Sequence, residues 1–290
     1  MAETRIPSTA FADAWINVDN TEDPAFFVQL LDSTRAALLE RARSSPTAYF
    51  APLDVRPGHH VLDVGCGTGD FLRLLGPLVA PGNAVGIDVS ETMIAEAQRR
   101  ANSGPANVSF HVGNALDLPI ESGSIDRLTA TQVLLHIPDT AAALAEIWRV
   151  LAPGGLVAFG EMDWGTVAVE CTDRELGRRF TRLACDELRN GLIVRELPWR
   201  LRDVGFDQIR LIPEVQVSLN LDEFYRWFME PAMPHFRKIG GFSPAEADFF
   251  LSDMQVRANQ GRYFCSRTYY TILASRSRPG QLPAVCGDQQ

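Results

Sequence analysis

Three glycines at alternate positions, Gly65, Gly67 and Gly69, follow the apolar run Val61-Leu62-Asp63-Val64. Glycine lets a backbone turn sharply and approach a ligand with no Cβ in the way. At the end of a strand, such a loop presents backbone N–H groups and a helix N-terminus to a polar ligand. Further on, the run Val85-Gly86-Ile87 ends in Asp88. An acid about 20 residues past the glycines, at the tip of the next strand, accepts hydrogen bonds from ribose hydroxyls in Rossmann-like units. Its competing use is to cap a helix opening at Ser90. The spacing also argues against a dinucleotide, because the pattern G-x-G-x-x-G requires glycine at position 70, where this chain has Asp70.

These residues need a scaffold that brings two strand tips together. Short β-branched runs at 60–64, 84–88, 108–112, 125–131 and 156–161 alternate with amphipathic stretches. In one of these, Leu144, Ile147, Trp148 and Leu151 share a face, with Asp139 as N-cap and Pro153-Gly154-Gly155 as the stop. Strands alternating with helices predict right-handed crossovers and a doubly wound, parallel α/β sheet. Two regions fall outside the alternation. Residues 1–50 read as a helical cap segment, with Asp23-Pro24 opening a helix. Residues 214–260 read as a helical insertion in which Ser243-Pro244-Ala245-Glu246 has the form of a capping box. The predicted organisation is thus a core at 51–213, completed by strand residues at 261–278 and followed by a frayed tail at 279–290. Inserted helices late in such a sheet sit over its carboxyl edge, where ligands bind; packing or dimerisation is their alternative use.

Composition narrows the function. The 290 residues are 46% hydrophobic and 22% charged, an ordinary globular balance. No apolar run approaches the roughly 20 residues that span a bilayer, and the start lacks the basic and apolar regions of a secretory signal. A cytoplasmic location is the expectation. A net charge of −9 opposes nucleic-acid phosphates. Arg178, Arg179 and Arg182 are too few to reverse that field and read as the wet face of a helix. Five cysteines, none with metal-ligand spacing, predict reduced thiols and no metal site. The expected partner is therefore a small molecule, with homo-oligomerisation left open.

From Val61 to Gly155 the chain resembles the class I S-adenosylmethionine-dependent methyltransferases, in particular the small-molecule branch of ubiquinone/menaquinone-type and natural-product enzymes. Val61–Asp70 is similar to that family's first motif, Gly86–Ser90 with Met93 to its second and Gly113–Pro119 to its third. Ser124-Ile125-Asp126 through His136 is similar to the fourth, and Arg149–Gly155 to the turn before strand five. The resemblance implies a Rossmann-like seven-stranded sheet, mostly parallel, with an antiparallel last strand. It also implies S-adenosyl-L-methionine as cofactor and methyl transfer to O, N or C of a small, apolar or aromatic metabolite. Asp63 and the loop Gly65, Cys66 and Gly67 would face the methionyl group, and Asp88 the ribose. Val89 and Met93 would lie against the adenine face, Asn114 and Ala115 at its edge, and Thr131 and Gln132 near the methionyl end. Asn114 departs from the aspartate of many relatives; an amide donates and accepts, so only the charge is lost.

In-line transfer leaves the protein mainly to position the acceptor and exclude water. A base would contribute where the acceptor is a poor nucleophile, by about 10²–10⁴-fold. His136, just past strand four, is the first candidate, with packing beside the cofactor as its alternative. Glu161 and Asp163, read as ending strand five, are the next, and His235 in the insertion the last. His59 and His60 open strand one at the wrong end and read as structural; His111 faces a neighbour. Phe224, Tyr225, Trp227 and Phe228 at helical spacing read as core before ligand wall, and Trp15, Trp164 and Trp199 are open to either. Three other functions compete: cyclisation or rearrangement with the same cofactor, nicotinamide-dependent oxidoreduction, and binding without catalysis.

Overall fold

The computed structural model describes residues 14–277, so the predicted tail at 279–290 lies outside the described residues, as does most of the segment before Trp15. The elements run α1 (Pro24–Ser44), α2 (Pro46–Tyr49), β1 (Val61–Val64), α3 (Asp70–Val79), β2 (Ala84–Asp88), α4 (Glu91–Ala101), β3 (Val108–Val112) and β4 (Ile125–Thr131). They continue through α5 (Thr140–Val150), β5 (Leu151–Val169), α6 (Arg174–Asp186), α7 (Ile193–Val204), β6 (Phe206–Ser218), α8 (Glu230–Lys238), α9 (Pro244–Asn259) and β7 (Cys265–Arg276). A π-helical turn, Tyr225–Met229, leads into α8.

The strands form one seven-stranded sheet in the order β3-β2-β1-β4-β5-β7-β6. β1 pairs in parallel with β2 and β4, and β7 runs antiparallel between β5 and β6. This is the mostly parallel, doubly wound, Rossmann-like sheet that the alternation and the resemblance predict. The order reverses between β1 and β4, and it is outside such a reversal that open α/β sheets bind ligands. Successive side chains of a strand point to opposite faces. Val61 accordingly joins the apolar layer under α1 and α3, while Leu62 and Val64 join the layer under α5, α7 and α9.

The helix signals act locally as the sequence suggests. The Asp23 carboxylate accepts the Phe26 N–H at 3.1 Å to open α1, and Asp139 accepts from Ala142 N at 2.9 Å to open α5. The Ser243/Glu246 capping box is complete, Glu246 Oε2 accepting from Ser243 N at 2.8 Å. Three boundaries differ from expectation. Helix α5 stops at Val150 because Leu151 is already extended, so Pro153-Gly154-Gly155 falls inside β5. β5 does not end at Glu161 but continues to Val169 as a partner of β7. The strand residues expected from 261 begin pairing at Cys265.

A candidate S-adenosylmethionine site and its acceptor wall

The tips of β1 and β2 meet through their loops. Gly65 and Gly67 have φ of +68° and +53°, left-handed values that side chains disfavour. A Cβ on Gly65 would lie 2.3 Å from Val133 Cγ2, and one on Gly67 2.5 Å from Leu31 Cδ2. Only glycine lets the loop run between β4's exit and α1. Asp88 accepts Gly67 N–H at 2.8 Å on one oxygen and Ser90 N–H at 3.0 Å on the other. The ribose and capping readings of Asp88 are therefore not exclusive, since each carboxylate oxygen keeps a further lone pair. Burial pushes the Asp88 carboxyl above its ordinary range, an effect opposed by these N–H groups and by Arg35.

Both loops open into a cavity of about 590 Å³. Gly65, Gly67, Asp88, Val89, Met93, Asn114, Ala115, Thr131, Gln132 and His136 all line it. Asn114 Oδ1 accepts Leu116 N–H at 2.9 Å, which holds the turn that presents Asn114 and Ala115. Gln132 has φ of +57° and donates its N–H to Gly160 O at 2.7 Å, so the chain bends tightly as it leaves β4. The His136 ring lies 6.0 Å from the Trp15 ring.

Other expected site residues lie behind the wall. Asp63 is buried outside the cavity lining and its Oδ1 accepts from Thr129 Oγ1 at 2.7 Å; burial raises its carboxyl to about 6. Cys66 is buried in the apolar layer, its thiol 3.7 Å from Gly67 O. Glu161 and Asp163 alternate along β5 with Met162 and Trp164, which line the cavity, and are not themselves in the lining. The Glu161 Oε1 accepts Val133 and Leu134 N–H groups at 3.0 and 2.8 Å, and burial raises that carboxyl to about 8. Asp163 is paired with Arg195 at 2.9 Å and capped by Gly165 N–H. Neither lines the cavity, so both hold the β4 and β5 exits in place. His235 pairs with Glu187 at 2.7 Å, also away from the cavity. His59, His60 and His111 are remote from it as well. Asp70 is locked in ion pairs with Arg73 and Arg100, the latter also bound to Asp32 at 2.7 Å. The position where a dinucleotide fold needs a third glycine is thus built for a different purpose. Among the described residues no group of three metal-ligating side chains converges, and no helix is long and apolar enough to cross a membrane.

One set of residues in the wall escaped the sequence, and so did Arg267. On α1, Leu31, Arg35 and Leu38 recur at i, i+4 and i+7 and face the cavity. Arg35 donates to Thr131 O at 3.1 Å, and its charge bears on Asp63, Asp88 and Glu161. The signal was a lone cation in an otherwise apolar stripe. Trp164, Phe224, Trp227, Phe228 and Arg267, from β5, the insertion and β7, also line the cavity. Phe224 and Phe228 are core and wall at once; Tyr225 is core only, and Trp199 is exposed beside Arg200.

With that geometry in place, residues 61–155 match the methyltransferase domain family, within a Rossmann-like sheet. A 37.1 kDa protein encoded in transposon TN4556 of Streptomyces fradiae is 41% identical over 183 residues, covering 62% of this chain and 53% of that one. The demethylmenaquinone methyltransferase of Symbiobacterium thermophilum is 39% identical over 110 residues, covering 37% and 44%. The chain thus spans about half the length of the curated relatives it matches. The crystal structure of the YcgJ protein from Bacillus shares the fold at a TM-score of 0.57 and 19% identity, over 82% of this chain and 100% of that one.

Proposed function

We propose that the chain transfers the methyl group of S-adenosylmethionine to a small, largely apolar or aromatic acceptor. The observation that carries this reading is the continuity of one cavity from the glycine bend and Asp88 to the aromatic wall at Trp164 and Phe228. The residues fit such a cofactor. Asp88 offers lone pairs to ribose hydroxyls while Gly67 and Ser90 hold it still. Val89 and Met93 give the adenine an apolar face, and Asn114 and Ala115 give it an edge. Arg35 places a guanidinium over the loop, where it would pair with the methionyl carboxylate. Thr131 and Gln132 flank that end.

When bound, S-adenosylmethionine supplies a sulfonium methyl that passes to an acceptor atom as its carbon–sulfur bond breaks. The chain's own work is then placement and the exclusion of water, the terms by which an oriented pair gains most over free reactants. Helix α1 and the insertion act as the cap that closes the cavity from both sides. His136, the imidazole in the wall, is the group placed to take a proton from an acceptor hydroxyl or amine. Glu161, through Val133 and Leu134, positions the segment that carries it.

The test is titration calorimetry with S-adenosylmethionine, followed by a screen of metabolites for uptake of label from the methyl-labelled cofactor. Binding that weakens at least about tenfold in D88A, as expected for loss of a hydrogen bond to a charged group, supports the site. Label appearing in a product identifies the reaction, and no binding to the wild type would sink it. Full turnover by H136A on the labelled acceptor would remove His136 as the base.

A further inference from the structure

Strand β6 is last in the strand order, and among the described residues only β7 pairs with it. Its outer side is therefore a free edge. Thr268, opposite Val215, sends its N–H toward β5, to Thr166 Oγ1 at 3.0 Å. The backbone groups of an antiparallel strand point alternately to its two sides, so those of Val215 point away from β7. By the same alternation Leu211, Pro213 and Val217 also turn theirs outward. Free edges pair with another strand unless charge, proline or a bulge prevents it. Those guards all lie in the first half of β6: the register shift at Asp207/Arg210, the charges of Arg210 and Glu214, and Pro213, which has no N–H to offer. The second half, Val215-Gln216-Val217-Ser218-Leu219, has none of them. Val215, Val217 and Leu219 are 62%, 54% and 62% exposed.

We infer that the second half of β6 is the contact surface for a second copy of this chain, the two strands pairing antiparallel about a twofold axis at Val217. The segment fits itself. That axis sets Val217 beside its copy, Val215 opposite Leu219, Gln216 opposite Ser218 and Glu214 opposite Asn220, so no like charges meet. Glu214 is moreover held within its own chain by Arg41 at 2.8 and 3.1 Å. An axis earlier in the strand would set Pro213 against a carbonyl that it cannot serve. A chain of net charge −9 repels its copy over most of its surface, whereas the five residues that meet here carry no charge. Those five from each copy, with the side chains that flank them, cover on the order of 1,000 Å² in total, about the least that holds a specific interface. A twofold contact also closes on itself, so each edge is used once and no filament grows. The pairing reaches the cavity, because Gln216, between the two valines, lines it.

The experiment is sedimentation equilibrium on the full chain. The wild type is expected to show a monomer–dimer equilibrium with a dissociation constant of about 1–100 µM, the weak end of the range, as suits so small a contact. V217K brings two ammonium groups together at the axis and should weaken dimerisation at least about tenfold. V217E should do the same, and carries the test should V217K not fold. An equimolar mixture of the two should dimerise at least about fivefold more tightly than either alone, because a twofold axis at this residue sets lysine against glutamate. L211K, before Pro213, should stay within about twofold of wild type, as an exposed substitution outside the contact. A wild type that remains monomeric at about 500 µM, a V217K as dimeric as wild type, or a mixture no tighter than its components would overturn the inference. So would an L211K that dissociates as V217K does, which would move the contact to the other half of the strand. A monomeric wild type that binds phosphatidylcholine vesicles, with binding lost in V217K, would give the surface to lipid instead.

Discussion

Arg35 gathers more of the site's electrostatics than any residue in the glycine loop. It stands between three buried carboxyl groups, Asp63, Asp88 and Glu161, each of which burial pushes upward and its charge pulls back. If it also meets the methionyl carboxylate, R35M should lose at least about tenfold in affinity for S-adenosylmethionine. Its affinity for 5′-methylthioadenosine, which lacks that carboxylate, should be unchanged; equal losses for both ligands would assign Arg35 a purely structural role. Glu161 makes a second residue-scale prediction. Its carboxyl lies at about 8 in the fold against 4.5 ordinarily, so the native state holds a proton that the unfolded chain has released across that interval. Its contribution is fully present below about pH 4.5 and lost as pH rises through 8. E161Q keeps an oxygen for the Val133 and Leu134 N–H groups without the charge. The melting temperature of E161Q minus that of wild type should therefore grow from pH 5 to pH 9; a flat difference would mean the carboxyl titrates normally.

At the scale of elements, the cavity depends on how α4 is capped. Asp19 accepts from Glu91 N at 2.7 Å, Thr92 N at 3.0 Å and Ser90 Oγ at 2.8 Å, so a residue from before α1 serves the first turn of α4. That bond ties the stretch carrying Trp15 and Val18 to the Met93 side of the cavity. D19A should lower the melting temperature by about 2–4 °C, the effect of losing roughly 1 kcal/mol of cap in a chain of this size. It should also increase solvent exchange at Trp15; unchanged exchange would show that α1 alone fixes this segment. None of this was legible, since Asp19 is one acid among many until the fold folds it onto Ser90. The N-caps Asp139 and Ser243 could be read because cap and helix adjoin in the chain. The length of β5 could not be, because its continuation past Glu161 depends on β7, more than a hundred residues away. Glu161 and Asp163 looked like edge carboxylates because this stretch of β5 does reach the cavity, but it is the alternate residues Met162 and Trp164 that line it.

At the scale of the molecule, the two regions outside the strand–helix alternation are the ones that enclose the cavity. Ligand binding should therefore be felt far from the glycine bend. At 100 times its dissociation constant, S-adenosylmethionine adds about 2.7 kcal/mol, or a rise in melting temperature of roughly 5–10 °C. Hydrogen exchange should slow in α1 as well as in the Gly65–Gly69 loop. Slowing confined to the loop would show that α1 is not part of the closed state. The sheet and cofactor end were readable because glycine spacing and an acid at a strand tip are local patterns. The wall that holds Trp164, Phe224 and Arg267 was less so: its aromatics read as core before wall, because the three residues come from separate stretches and meet only after the sheet closes.

The residues that match the methyltransferase family end at 155, whereas Trp164, Phe224 and Arg267 all lie beyond that point. Kinship measured over the shared stretch thus bears on the glycine-bend side of the cavity and is silent about the wall at Trp164, Phe224 and Arg267. Two chains with the same first half could diverge in product by changing β5, β7 and the helices between them, leaving the adenosyl seat untouched. Grafting residues 161–276 from a homologue of known product onto this chain would exchange one recipient for another in a single move.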